Sequence, residues 1–158
     1  MKKILTILTL CVVALVGEQV KIIADEFDGN EKTGVTIFKG HVKITKGSDE
    51  LNASKVKVLT DKNRTPYRYE AEGDVSFYID LKESNTSYKG DAGKVIYYPS
   101  KQTYHFYTNV HLYQIGTDRK IFGEEVKLNA EDGTAKAMGK EKAPVIMIFN
   151  IEEKKADK

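Results

Sequence analysis

The stretch "YRYEAEGDVSFYIDL", at residues 67–81, has the most regular pattern in this sequence. Its odd-numbered positions are aromatic or aliphatic apart from one glycine, and its even-numbered positions are mostly charged or polar. Successive side chains of a β-strand point to opposite faces, so a period of two predicts a strand with one apolar and one solvated face. Such strands are typical of antiparallel sheets.

The centre of this stretch is repeated along the chain. The segment "GHVKI" at 40–44 is echoed by "GDVSF" at 73–77 and by "NVHL" at 109–112. A second apolar segment follows each of the three, at residues 51–59, 93–98 and 125–130. The sequence therefore predicts three β-turn-β units of about 34 residues. Because one unit cannot bury its apolar face alone, we expect the units to stack into an elongated body.

Turn residues and composition favour an all-β domain. Gly, Asn and Asp punctuate the chain at 28–30, 46–49, 61–63, 72–74 and 132–133, and outside the N-terminus no segment has convincing helical periodicity. Many short strands with tight turns predict a sandwich, a jellyroll or a stacked-strand solenoid. The 158 residues fit one domain, and a formal net charge of +2 argues against a nucleic-acid partner.

The two ends of the sequence differ from its middle. Two lysines precede an apolar run at residues 4–16, which is the pattern of a secretory signal and predicts a signal peptide at 1–17. A retained N-terminal anchor is the alternative. The only cysteine, Cys11, lies in that run, so the exported chain is expected to fold without disulfides. The charged residues 152–158 predict a disordered tail, which leaves 18–151 as the folded domain.

No residue pattern in the sequence indicates catalysis. The three carboxylates Glu70, Glu72 and Asp74 share the polar face of one predicted strand, whereas a glycosidase needs two carboxylates across a cleft. His41 and His111 are expected to point outward, and no converging cluster indicates a metal. Nucleophile-elbow, phosphate-loop and zinc-protease motifs are missing. We therefore expect a non-enzymatic protein without metal or cofactor.

Several segments together resemble the LptA/OstA family of lipopolysaccharide export. They are "QVKI" at 19–22, "FKGHVKI" at 38–44 and "LNASKV" at 51–56, followed by related segments at 73–77, 88–97 and 107–126. His41, Ser54 and Thr108 depart from the usual Asn, Asp and Gly of the family pattern. The resemblance covers about residues 19–151. It implies a twisted, open-ended β-jellyroll of stacked short antiparallel strands that acts in the periplasm.

The resemblance also implies that the acyl chains of lipopolysaccharide lie along an apolar interior. The inward positions of the predicted strands suit this role, since each buried methylene contributes about 0.8 kcal/mol. The candidate lipid-binding residues are Val20, Ile22, Val42, Ile44, Val56, Val58, Val75, Phe77, Ile79, Val95, Tyr97, Val110, Leu112, Val126 and Leu128. Lysines at the rim, such as Lys43, Lys55 and Lys57, are candidates for contacts with lipid phosphates.

Two apolar segments at the ends are candidate docking edges, because an exposed edge strand is a template for strand pairing. They comprise Val20, Lys21, Ile22 and Ile23 at the N-terminal end, and Val145, Ile146, Met147, Ile148 and Phe149 at the C-terminal end. The resemblance implies an LptC-like inner-membrane subunit at the first edge and an LptD-like outer-membrane subunit at the second. Head-to-tail self-association is a further expectation.

Three alternatives remain open from the residues alone. The chain could be an anchored LptC-like subunit of the same pathway if its N-terminal segment is retained. It could instead be an exported sugar-binding or adhesive β-sandwich, which would need an exposed aromatic or polar site. The C-terminal segment "VIMIF" at 145–149 could also be a buried central strand, since strands that are apolar on both faces are common in sandwich cores.

Overall fold

The computed structural model describes residues 19–151 of the chain. These residues form ten β-strands and two short 3₁₀ turns, Lys82–Ser84 and Pro99–Lys101. The strands are β1 (Val20–Ile23), β2 (Glu26–Asn30), β3 (Val35–Lys46), β4 (Asp49–Thr60), β5 (Pro66–Leu81), β6 (Thr86–Tyr98), β7 (Thr103–Gln114), β8 (Lys120–Asn129), β9 (Ala135–Met138) and β10 (Ile146–Ile148). The all-β prediction is confirmed. No helix in this part of the chain has the length and apolarity needed to cross a membrane.

All ten strands belong to one antiparallel sheet, in which β3 to β8 pair in sequence order. β1 and β2 pair with the two ends of β3, and β9 and β10 pair with the two ends of β8. Each long strand therefore has one half in a β1–β10 layer and the other half in a β2–β9 layer. The two layers face each other, because the Phe77 ring of the first lies 4.5 Å from the Phe106 ring of the second.

The repeated sequence motif forms a β-bulge at which a long strand passes from one layer to the other. Gly73 and Asp74, in the middle of β5, have φ angles of 81° and 46°. On each side the ladder slips there, so that two residues of β5 oppose one of the neighbouring strand. The same geometry recurs in β3 and β7. Glycine suits this position because a Cβ at Gly73 would lie 2.8 Å from the Ser54 side chain.

The observed strand boundaries correct two expectations from the sequence, the positions of the turns and the lengths of the strands. Residues 72–74 were expected to be a turn, but they lie inside a strand of 16 residues, and residues 28–30 belong to β2. The six central strands are 10 to 16 residues long, which is longer than the short strands expected. Because a bulge keeps the backbone extended and hydrogen-bonded on both sides, glycine and aspartate there bend the strand without ending it.

Inward side chains form continuous apolar ladders across the sheet. In the β2–β9 layer the ladder is Phe27, Phe38, Val56, Ala71, Val95, Phe106, Val126 and Ala137. In the β1–β10 layer it is Ile22, Ile44, Leu51, Phe77, Gly90, Leu112, Ile121 and Met147. Cross-strand neighbours of this kind are the units that stabilise a sheet. The core of the domain lies between the two ladders.

Candidate functional site

The predicted lipid-binding residues all lie on inward positions of the two layers. Eleven of them are buried in the core: Val42, Val56, Val58, Val75, Phe77, Ile79, Val95, Val110, Leu112, Val126 and Leu128. Ile22, Ile44 and Tyr97 are partly buried against that core, and Val20 is 40% exposed. The four more exposed side chains belong to β1, β3 and β6. The interior is therefore accessible at the β1 end of the sheet.

Towards β8 the side chains of the two layers pack directly against each other. Phe106, Leu112 and Leu128 are fully buried, and the Phe106 ring packs against Phe77 of the facing layer. The turns at the rims also touch, since a Cβ at Gly133 would lie only 2.9 Å from the Cβ of Ser84. Around Phe77 and Phe106 the two layers thus form a solid core rather than an empty groove.

At the β1 end a cleft opens between the layers. Its apolar lining is Val20, Ile44, Leu51, Tyr69, Ala71, Ile79, Val95, Tyr97 and Tyr104, and Lys46 and Asp49 lie at its rim. The cavity volume is about 60 Å³, enough for about four to six water molecules, since each needs roughly 10–15 Å³ of such volume. The cleft therefore accommodates only a few methylenes as it stands, and a whole acyl chain requires the layers to separate.

A polar cluster joins the two layers at the rim of this cleft. Lys46 Nζ donates to the hydroxyl of Tyr97 at 3.2 Å, and the hydroxyl of Tyr104 donates to Asp49 Oδ2 at 3.1 Å. Lys46 and Asp49 lie 3.7 Å apart, with 25% and 16% of their side-chain surfaces exposed. Burial, together with the neighbouring Asp49 charge, raises the pKa of Tyr104, so its hydroxyl stays protonated as a donor.

Lys46, Asp49 and Tyr104 are not among the predicted site residues, because lysines were expected only on the solvated face. Lys46 follows Val42 and Ile44 at a spacing of two, so its inward position was readable from the alternation. In the described strands the other lysines occupy outward positions. The rim candidates Lys43 and Lys57 pair there with Glu50 at 3.2 Å and Glu70 at 3.9 Å. Hydrogen bonds from Asn52 and Lys43 lower the pKa of Glu50.

The outer faces carry ion pairs both within one strand and between neighbouring strands. Glu70 accepts from Arg68 at 2.8 Å, and Lys94 lies 3.3 Å from Glu72. His41 and His111 each lie within hydrogen-bond distance of an aspartate, at 2.7 and 2.8 Å. Within residues 19–151 no group of three or more His, Cys, Asp or Glu side chains is arranged to hold a metal ion. These faces have the arrangement of a solvated, charge-paired surface.

The candidate docking edges lie at the two ends of the sheet. β1 contains Val20, Lys21, Ile22 and Ile23, and β10 with its flanks contains Val145, Ile146, Met147, Ile148 and Phe149. The C-terminal five are 38–56% exposed, so this segment is an edge and not the buried central strand that was the alternative. Sequence reasoning missed β2 and β9, which extend the same two ends in the other layer.

Comparisons with known proteins agree with this architecture. The family model described as LptA/(LptD N-terminal domain) LPS transport protein matches residues 21–134. Among solved structures, the chain is similar to LptH, described as the LptA homologous periplasmic component of the conserved lipopolysaccharide transport device from Pseudomonas aeruginosa. That match has a TM-score of 0.75 at 17% identity and covers 85% of this chain and 96% of the other.

No curated protein sequence matches this chain. The likeness to LptH confirms the expected jellyroll fold, and the family model extends over all three repeated hairpins. The resemblance found in the sequence is thereby confirmed. The chain belongs to the LptA/LptD N-terminal domain family of lipopolysaccharide transport proteins.

Proposed function

We propose that this chain is a non-catalytic carrier of lipopolysaccharide in the periplasm and that it holds the acyl chains of the lipid between its two layers. The observation that supports this most directly is the pair of inward apolar ladders, which meet in an open, apolar-lined cleft at the β1 end. Saturated chains need apolar surface and no directional contacts. Each methylene buried there contributes about 0.8 kcal/mol.

Lipid binding on this proposal begins at the cleft. Ile44, Leu51 and Tyr69 are only partly buried, so they offer apolar surface without any loss of core contacts. Occupation of the remaining inward positions requires the layers to separate along their rims. The bulges between the layers are the natural hinge, because the ladder hydrogen bonds are already interrupted there.

The two ends of the sheet are the proposed docking surfaces. β1 and β2 run antiparallel to β3, and β9 and β10 run antiparallel to β8. Five antiparallel pairings separate β3 from β8, so these two strands run in opposite directions, and so do β1 and β10. A second module in the same orientation therefore adds its β1 and β2 antiparallel to β10 and β9. Strand addition of this kind satisfies the free backbone groups of both edges and continues the interior into the neighbour.

Opposite charges also favour the pairing of β2 of one module with β9 of the next. β2 carries Glu26 and Asp28 at its edge, whereas β9 carries Lys136. We propose an LptC-like inner-membrane subunit at the β1–β2 end and an LptD-like outer-membrane subunit at the β9–β10 end. Head-to-tail self-association uses the same two edges.

The experiment that tests the lipid site compares two adjacent substitutions. Ile44→Asn places an amide in the cleft, whereas Thr45→Asn places the same amide on the outer face of the same strand. Both purified proteins are tested for lipopolysaccharide binding, with circular dichroism as the folding control. We expect Ile44→Asn to reduce binding at least tenfold and Thr45→Asn to leave it unchanged. Equal binding by the two folded variants would show that the cleft is not the lipid site.

A further inference from the structure

The cluster of Lys46, Asp49, Tyr97 and Tyr104 connects the two layers by side chains alone. Lys46 and Asp49 flank the turn between β3 and β4 in the β1–β10 layer, and the two tyrosines come from β6 and β7 in the β2–β9 layer. The bonded residues are 51 and 55 positions apart in sequence. Inward charges in an apolar interior are costly to bury and need a compensating role or very good partners.

The position of the cluster indicates that role. A second cavity, of about 250 Å³, adjoins the apolar cleft at the rim and is lined by Leu81, Gln102 and Ala130 and by the charged residues Asp80, Lys82 and Glu83. The two cavities share five lining residues, and four of them are the members of this cluster. The cluster is therefore the wall between the cleft and this second cavity.

We propose that these four residues form a polar gate across the acyl-chain path, so that a chain bound in the cleft advances towards β8 only when the Tyr104–Asp49 and Tyr97–Lys46 bonds open. This inference rests on the proposed lipid-carrying function. It assigns the cleft as the entry compartment and the space that opens beyond the cluster, when the layers separate, as a second, gated compartment.

One side of the gate is held in place by its own layer. Asp49 Oδ1 accepts from the backbone N–H of Asp80 at 2.9 Å, which fixes this carboxylate on the β1–β10 layer. Lys46 also lies 4.9 Å from the centre of the Tyr97 ring, which adds a cation–π contact to the hydrogen bond. Separation of the layers breaks these contacts together. These contacts therefore stabilise the closed state, and they are absent once the layers have separated around a bound acyl chain.

This arrangement predicts an unusual kinetic signature. Tyr104→Phe removes one bond from the closed state and keeps the ring, whereas the occupied state lacks that bond already. The association rate of a fatty acyl probe should therefore rise about tenfold, the order expected for one charge-assisted hydrogen bond. The dissociation rate should stay the same. A variant that merely loosened the fold would release the probe faster and bind it more weakly.

The experiment uses cis-parinaric acid, a fluorescent fatty acid, in stopped-flow measurements on the full chain. Tyr97→Phe is the second variant, which opens the other bond if Tyr104→Phe does not fold. Tyr113→Phe is the matched control, since the Tyr113 ring packs against Phe122 on the outer face. Faster association in either gate variant, with unchanged dissociation and an unchanged control, supports the gate.

Two results would overturn the inference, and they are distinguishable. If the wild type and the control bind the probe but folded gate variants associate at the same rate, or release the probe faster, the gate is wrong and the lipid groove stands. If neither the wild type nor any variant binds the probe, the proposed groove fails and the gate fails with it.

Discussion

Gly90 provides a stringent test of the inward ladders. It stands between Phe77 and Leu112 in the β1–β10 layer. A Cβ at this position would overlap the backbone carbonyl of His111 and lie 2.9 Å from the Phe77 ring. Neither neighbour can rotate away, because one is backbone and the other packs against Phe106 at 4.5 Å. We expect Gly90→Ala to cost about 3 kcal/mol, the upper part of the usual range for overpacking.

Gly29 is the matched control, since it is also a strand glycine on the inward side. A Cβ there meets only the Thr36 side chain, at 3.4 and 3.7 Å, which is ordinary contact. Gly29→Ala should therefore be neutral or stabilise the fold by up to about 1 kcal/mol, because alanine restricts the unfolded chain.

Thermal unfolding followed by circular dichroism checks both substitutions, with urea unfolding to compare the surface exposed. At about 3 °C per kcal/mol for a domain of this size, Gly90→Ala should melt about 10 °C below the wild type. Gly29→Ala should stay within about 3 °C of it. If Gly90→Ala melted within about 2 °C of the wild type, the register that places Gly90 under Phe77 would be wrong.

Two further predictions concern the sheet ends and one histidine. Ile22→Pro in β1 and Met147→Pro in β10 should each block one class of partner in crosslinking experiments while the melting temperature changes little, because both strands lie at sheet ends; global unfolding of Met147→Pro would contradict this. Burial lowers the pKa of His105 from 6.5, so the folded chain binds this proton less readily than the unfolded chain and loses stability as pH falls below that value. His105→Gln should lose less stability than the wild type between about pH 7.5 and pH 5.5 in urea unfolding, and equal losses would refute the assignment.

Much of the architecture was readable from local pattern. The alternation in residues 67–81 correctly predicted that Ala71, Val75 and Phe77 point inward and that Glu72 and Asp74 lie on the exposed face. The three repeated segments correctly predicted three hairpin units, β3–β4, β5–β6 and β7–β8. This succeeds because the pleat of a strand makes facing a property of sequence position.

Other features depended on contacts between distant residues. Residues 72–74 were mistaken for a turn because a bulge and a turn use the same residue types, and only the pairing of both neighbouring strands distinguishes them. β2 and β9 are short and have little apolar alternation, so their place at the sheet ends comes from pairing with β3 and β8.

The sequence by itself determined which side chains face inward, how many hairpins there are and which family the chain resembles. Only the tertiary structure decided where the interior is open and where it is solid, and it alone brought Lys46 to Tyr97 and Asp49 to Tyr104. The physical reason is that facing follows from the two-residue pleat, which is local. The distance between two layers follows instead from how bulges fold the sheet and how side chains from distant strands interdigitate.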